Sequence, residues 1–201
     1  EIISLEMDPK AARCAKENLS GFSNMQVIKA DVLEHEFTKK ADLIVCEMMD
    51  TALIDEEEIP VLNYAKQFLK DDGKIIPQGI INTAELVNMQ RNNVCWDEGE
   101  VRYEVLSHAV TYSQLNFLDE IRPEFEENIS FKVNKDGDIN GIKITTYTKL
   151  NDNILSGPTP MFNPPLLIPL DKKTVNRNQF ISVKLKYIMG NGIESIETDY
   201  I

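Results

Sequence analysis

The chain has 201 residues, enough for one large domain or two small ones, and its 42% hydrophobic content suffices for a packed core. Its formal net charge of −12 disfavours long-range attraction to bare nucleic acid or an anionic membrane and favours cationic partners, a bias that one local basic groove would override. Three cysteines (Cys14, Cys46 and Cys95) are too few and too scattered for a disulfide framework and favour a reducing cytoplasm; nothing resembles a signal peptide or a bilayer-spanning apolar run.

The first part alternates strand and helix. Residues 2–5 form a short apolar run, expected as a strand buried on both faces, and Glu6 closes it. Asp8 is suited to cap a helix whose first position is Pro9, and Ser20-Gly21 ends it. Met25–Lys29 reads as the next strand, followed directly by Ala30-Asp31. Residues 41–46 read as another, closed by Glu47. Asp55 and Glu58 have capping-box spacing ahead of a second helix over residues 59–69. Asp72-Gly73 turns into a strand that Pro77 stops. Such alternation predicts a parallel sheet.

After Pro77 the helical periodicity disappears. Short β-branched stretches follow at residues 80–87, 101–106, 129–133, 141–147, 180–187 and 195–198, and residues 113–121 suggest a short helix. Turn signals separate them: Lys135-Asp136-Gly137-Asp138, Asn151-Asp152-Asn153, and Gly190-Asn191-Gly192, the last a strong hairpin signal. The expectation is an α/β part over residues 1–78 and an antiparallel β-barrel or sandwich over residues 79–201.

An acid at the tip of the second strand of an α/β sheet is where a nucleotide ribose is held by its two hydroxyls, which suits Glu6; Glu47 then ends its strand beside the reacting centre. In a doubly wound sheet the central strand lies between the two strands read here at residues 2–5 and 41–46, and its loop carries the glycines that approach the cofactor. The 201 residues contain neither. Left so, both strands would present unpaired backbone groups in mid-sheet, and a segment preceding Glu1 is the favoured occupant of that slot, ahead of a partner chain or a rearrangement.

The runs Ile3-Ser4-Leu5-Glu6-Met7-Asp8-Pro9, Val27-Ile28-Lys29-Ala30-Asp31-Val32 and Asp42-Leu43-Ile44-Val45-Cys46-Glu47-Met48-Met49 resemble the motifs that follow the glycine loop in class I S-adenosylmethionine-dependent methyltransferases. Glu47-Met48-Met49 through Leu53 to Glu56, followed by Phe68-Leu69-Lys70-Asp71-Asp72-Gly73-Lys74-Ile75-Ile76-Pro77, is similar to protein arginine methyltransferases, whose archaeal relatives are often labelled predicted RNA methylases. The resemblance covers residues 1–87 well and the β part in outline. It implies a Rossmann-like cofactor part over residues 1–78, a β-barrel-like substrate or dimerisation part over 79–201, and S-adenosyl-L-methionine as cofactor. By it Glu6 holds the ribose with Met7 beside it, and Asp31 and Val32 border the adenine. Glu47 borders the cofactor and is the first of two carboxylates that grip a guanidinium; Glu56 is preferred to Asp55 as the second. A cationic protein is the favoured acceptor, RNA the alternative, and a homodimer is allowed. The 201 residues alone are expected to bind the cofactor weakly.

Departures from the family are specific. Its serine before the first glutamate is Cys46 here, its glycine three residues after that glutamate is Asp50, and its Thr-His-Trp motif finds only Thr159-Pro160-Met161. Simpler readings stand beside the functional ones. Asp31 suits a turn after a strand, and residues 55–58 suit a first helical turn, where the helix dipole favours acids. His35 and His108 lack companion ligands for a metal. Asn163-Pro164-Pro165-Leu166 has the outline of an amino-methylating motif but lies in the β part, where it reads as a proline-rich turn. Three readings remain: an arginine-type methyltransferase, an RNA methyltransferase, and a non-catalytic binding module on a degenerate methyltransferase fold.

Overall fold

The computed structural model describes residues 1–201. Its first part contains β1 (Ile2–Glu6), α1 (Pro9–Leu19), β2 (Met25–Lys29), β3 (Ala41–Val45), α2 (Glu58–Ala65) and β4 (Leu69–Ile76). β1 pairs with β2 and β3 with β4, both in parallel, as crossover connections through helices require. The Asp8 carboxylate caps α1, accepting the N–H groups of Lys10 and Ala11 at 2.9 and 2.8 Å. α2 starts differently. Its N-cap is Glu57, with no side-chain hydrogen bond, so the capping box expected from Asp55 and Glu58 does not form. Glu58 turns its carboxylate back towards the exit of β3 instead.

The two parallel ladders are separate, and β1 does not pair with β3. Burial of residues 2–5 on both faces is not found: Ile2 and Ile3 are 48% and 42% exposed, and Val45 on β3 is 68% exposed. Cover is sparse here, since Ala12 is the sole buried residue of α1.

After Pro77 the pairing becomes antiparallel through β5 (Gly79–Met89), β6 (Cys95–Trp96), β7 (Tyr103–Val105), β8 (Val110–Asn116), β9 (Glu124–Lys132), β10 (Gly137–Asn151), β11 (Ile154–Ser156), β12 (Leu166–Val175), β13 (Phe180–Ile188) and β14 (Glu197–Tyr200). The larger sheet runs β6-β12-β10-β5-β7, with β8 also on β5 and β11 also on β10; the smaller runs β14-β13-β9. Ile80, Leu86, Ile142 and Ile168 from the larger sheet meet Phe131, Val183 and Leu185 from the smaller in one buried cluster, as in a sandwich. Met49, Leu53, Ile54, Ile59, Leu62 and Ile75 join the same cluster, so the segment between β3 and β4 is packed onto the β part.

The sheets stay open, which corrects the barrel expectation. Closure needs a continuous ladder around the core. Here β9 pairs with β13 along one edge and carries no strand ladder along the other, and the isolated bridge Ser107–Val133 is the pairing that joins the sheets. The helix expected at residues 113–121 is also replaced, because β8 lies in register with β5 through Ser113 opposite Asn82 and Leu115 opposite Ile80. Asn151-Asp152-Asn153 and Gly190-Asn191-Gly192 connect antiparallel pairs, whereas Lys135-Asp136-Gly137-Asp138 carries the chain from one sheet to the other.

Candidate functional site

The carboxyl ends of β1 and β2 lie side by side, with Glu6 opposite Lys29 and the Ala30 N–H donating to the Glu6 carbonyl at 3.2 Å. That register brings Glu6, Asp31 and Val32 to one edge. Glu6 is half-buried; its Oε1 accepts the Asp8 N–H at 2.8 Å, and its second oxygen has no protein partner. Asp31 accepts the Leu33 N–H at 2.9 Å and so caps a turn over Val32–Glu34, the plain reading of that residue. Met7 is exposed beside them. One carboxylate oxygen is thus held by the backbone, and the other is open to an external donor.

The second acidic group lies beyond β3. The ladder continues to Cys46, whose N–H donates to Ile76 at 3.0 Å, and Glu47 then emerges exposed. Four residues that follow, Thr51, Ala52, Leu53 and Ile54, are completely buried, after which Asp55, Glu56 and Glu57 are exposed again. The loop thus dives into the core between the two expected carboxylates. Ala52 and Leu53 have left-handed φ values of 61° and 59°, a strained conformation for side-chain-bearing residues. Contacts from the β part hold it: the Thr146 hydroxyl oxygen accepts the Ala52 N–H at 2.8 Å and donates to Asn82 at 2.7 Å. The Thr51 hydroxyl donates to the Pro164 carbonyl at 2.7 Å, and the Gly190 and Gly192 N–H groups donate to Leu53 and Ile54 at 2.9 Å each.

Two carboxylates that sequence reasoning did not assign to the site fasten the loop's ends. Asp50 accepts the N–H groups of Ile54, Asp55 and Glu56 at 3.2, 3.1 and 3.4 Å. Burial pushes its carboxyl up to about 6, against the pull of those donors. Glu58 has no exposed surface, and its Oε2 accepts the Met48 N–H at 2.9 Å and the Cys46 thiol at 3.5 Å. Its Oε1 is buried with no partner. Burial raises its carboxyl to about 7, opposed by the Met48 and Cys46 donors and reinforced by the negative charges of Glu47 and Glu56. Burial, then Glu58, also raises the Cys46 thiol, leaving it protonated and unreactive. One sequence signal marks Glu58: it shares a helical face with Leu62 and Ala65, four and seven residues on, both buried. An acid in an apolar stripe differs from an acid in a solvated first turn.

At the exit of β3 the Met48 N–H, next to Glu47, donates to Glu58 and the Glu56 N–H donates to Asp50, while Glu6, Met7, Asp31 and Val32 lie at the exits of β1 and β2. Asp55, the alternative second carboxylate, lends its N–H and its negative charge to Asp50. Thr159-Pro160-Met161 forms a tight turn closed by the Thr159–Phe162 bridge, with Met161 94% exposed. The adjoining Asn163 is buried at φ 49°, donating to Thr148 at 3.1 Å, as a turn leading into β12.

The fold is a methyltransferase-like α/β part followed by a β-rich part. The solved structure of the Trypanosoma brucei PRMT1 enzyme-prozyme heterotetrameric complex with AdoHcy matches 100% of this chain and 76% of its own with a TM-score of 0.81, at 12% sequence identity. The shared property is the fold. The chain matches no protein-family model. It is 42% identical over 200 residues to an uncharacterized protein of Methanothermobacter thermautotrophicus, spanning 100% of this chain and 78% of that protein. It is 37% identical over 203 residues to the uncharacterized protein MJ1452 of Methanocaldococcus jannaschii, spanning 99% and 77%. The chain belongs to the family that these two proteins represent.

Proposed function

We propose that the protein is an S-adenosylmethionine-dependent methyltransferase that N-methylates a guanidinium, with protein arginine as the acceptor. The observation that carries this reading is the exit of β3, where exposed Glu47 and Glu56 flank a buried loop whose ends are held through the Met48 N–H on Glu58 and the Glu56 N–H on Asp50. The methyltransferase-like fold supports it, and the neighbour with that fold is an arginine methyltransferase in complex with AdoHcy. In this reading residues 1–78 serve the cofactor and residues 79–201 serve substrate or dimerisation, a homodimer being in keeping with the neighbour's multi-subunit state.

Glu6 would hold the ribose hydroxyls through its open carboxylate oxygen, Met7 would lie beside them, and Asp31 and Val32 would border the adenine. When bound, the cofactor supplies a methyl group on a positively charged sulfonium. Glu47 and Glu56 grip the planar, permanently charged guanidinium, hold it still and localise electron density on the nitrogen that faces the methyl. Orientation and electrostatics supply the acceleration, and deprotonation before attack is not required. The proton released from the methylated nitrogen passes to a carboxylate or to water.

The test is methyl transfer from labelled cofactor to cell extract by the intact protein, followed by protease or ribonuclease. Label destroyed by protease and resistant to ribonuclease is expected, and Glu47→Gln should lower turnover on the order of a hundredfold or more with cofactor affinity unchanged. Label that survives protease and vanishes with ribonuclease overturns the arginine reading in favour of RNA. Label in neither fraction points to the non-catalytic module or a small acceptor.

A further inference from the structure

We propose that Asp50 and Glu58 are positioning residues: a second pair of carboxylates, one half-buried and one fully buried, that grips the backbone at both ends of the loop carrying Glu47 and Glu56. This rests on the methyltransferase reading above only for its consequence in turnover; the grip itself is a property of the loop. Each acid addresses one end. Glu58 takes the N–H of Met48, the residue after Glu47, while Asp50 takes the N–H of Glu56 together with those of its two predecessors. Between these grips the chain passes through the strained pair Ala52 and Leu53, which Thr146, Gly190 and Gly192 hold from the β part while the two acids hold the ends.

Neither acid is paired with a cation. Glu58 is fully buried with one oxygen unpartnered, and no cation neutralises it: the charged groups facing it, Glu47 and Glu56, are of its own sign, and its other titratable neighbour is Cys46. Asp50 faces Asp55 and lies near Tyr187, again without a cation. An apolar residue at either place would remove the desolvated charge but orphan the backbone N–H groups that the carboxylate accepts. Two uncompensated acids make sense where the loop's geometry matters more than its stability. Asp50 also stands where the resembling family has glycine, so this chain closes by side-chain acceptors a turn that glycine would leave free.

The experiment measures amide hydrogen exchange in the intact protein without cofactor or acceptor, and methyl transfer alongside. Asp50→Ala should lower protection at Ile54, Asp55 and Glu56, and Glu58→Met should lower it at Met48, each on the order of tenfold or more, with β5 and β10 unchanged. Glu58→Gln keeps an oxygen for Met48 and should restore protection. If Asp50→Ala also loosens β10, Asp50→Asn decides, since its amide leaves fewer acceptors for the same three donors in a side chain of the same size. Turnover should fall on the order of tenfold or more in Asp50→Ala and Glu58→Met with the cofactor KM unchanged, and recover in Glu58→Gln. Unchanged protection at these amides overturns the grip. Loosened amides with unaltered turnover overturn the positioning role. Loosened amides in a protein that transfers no methyl to any acceptor uphold the grip and overturn the methyltransferase reading instead.

Discussion

Replacing Glu58 by glutamine keeps an oxygen where Met48 donates and removes the only charge in a site with no exposed surface. In the folded protein burial lifts the Glu58 carboxyl from its ordinary 4.5 to about 7. Below pH 4.5 both folded and unfolded chains carry the proton, and Glu58 contributes no pH dependence. As pH rises from there to about 7, the folded state keeps a proton that the unfolded state has lost, so stability falls. The gap spans roughly two and a half tenfold steps at ~1.36 kcal/mol each, about 3 kcal/mol of destabilisation in full above pH 7. Glutamine titrates nowhere in this range. Relative to the parent, Glu58→Gln should therefore gain about 2 kcal/mol of stability between pH 5.5 and pH 8.5. Asp50, also pushed up, is present in both proteins and cancels in the difference. Urea unfolding at the two pH values measures it. Parallel stability–pH curves, or a variant that loses ground on the parent as pH rises, would refute the argument that Glu58 is a charge held at a cost.

Three further outcomes are expected. Glu6→Ala should weaken cofactor binding by about 1–3 kcal/mol in calorimetry on the intact protein, because paired hydroxyls lose a charged acceptor; unchanged affinity removes Glu6 from the ribose role. Thr146→Val preserves volume at a fully buried position but strips the Ala52 N–H of its acceptor and Asn82 of its donor, and should cost about 2–3 kcal/mol by denaturant titration. Gly79→Ala should cost about 1–3 kcal/mol or prevent folding, since a Cβ there would run into the Leu115 carbonyl of β8; a melting temperature equal to the parent's would contradict the β5–β8 approach.

Local chemistry read from the sequence survives wherever neighbours in sequence decide it. Asp8 and Pro9 start α1, the apolar runs at Met25–Lys29 and Ala41–Val45 are strands, and Glu6 and Glu47 stand at their strand tips, because caps and short strands depend on residues a few positions apart. The change from parallel to antiparallel pairing after Pro77 was likewise visible in the loss of helical periodicity. Long-range contacts decided the rest. Residues 113–116 became part of β8 because β5 offered them a ladder, and β12 passed unnoticed because its apolar start is broken by Pro169 and followed by charge. Whether the two β sheets closed depended on whether the second edge of β9 found a ladder in the larger sheet, a matter of pairing that composition does not record. Glu58 is the sharpest case. Asp55 and Glu58 have the spacing of a cap, and only the packing of α2 against the sandwich core removes Glu58 from water and turns it towards Met48. Residue spacing states which groups can meet along a helix or strand, whereas burial, which sets the proton equilibrium of an acid, is created by segments far apart in the chain.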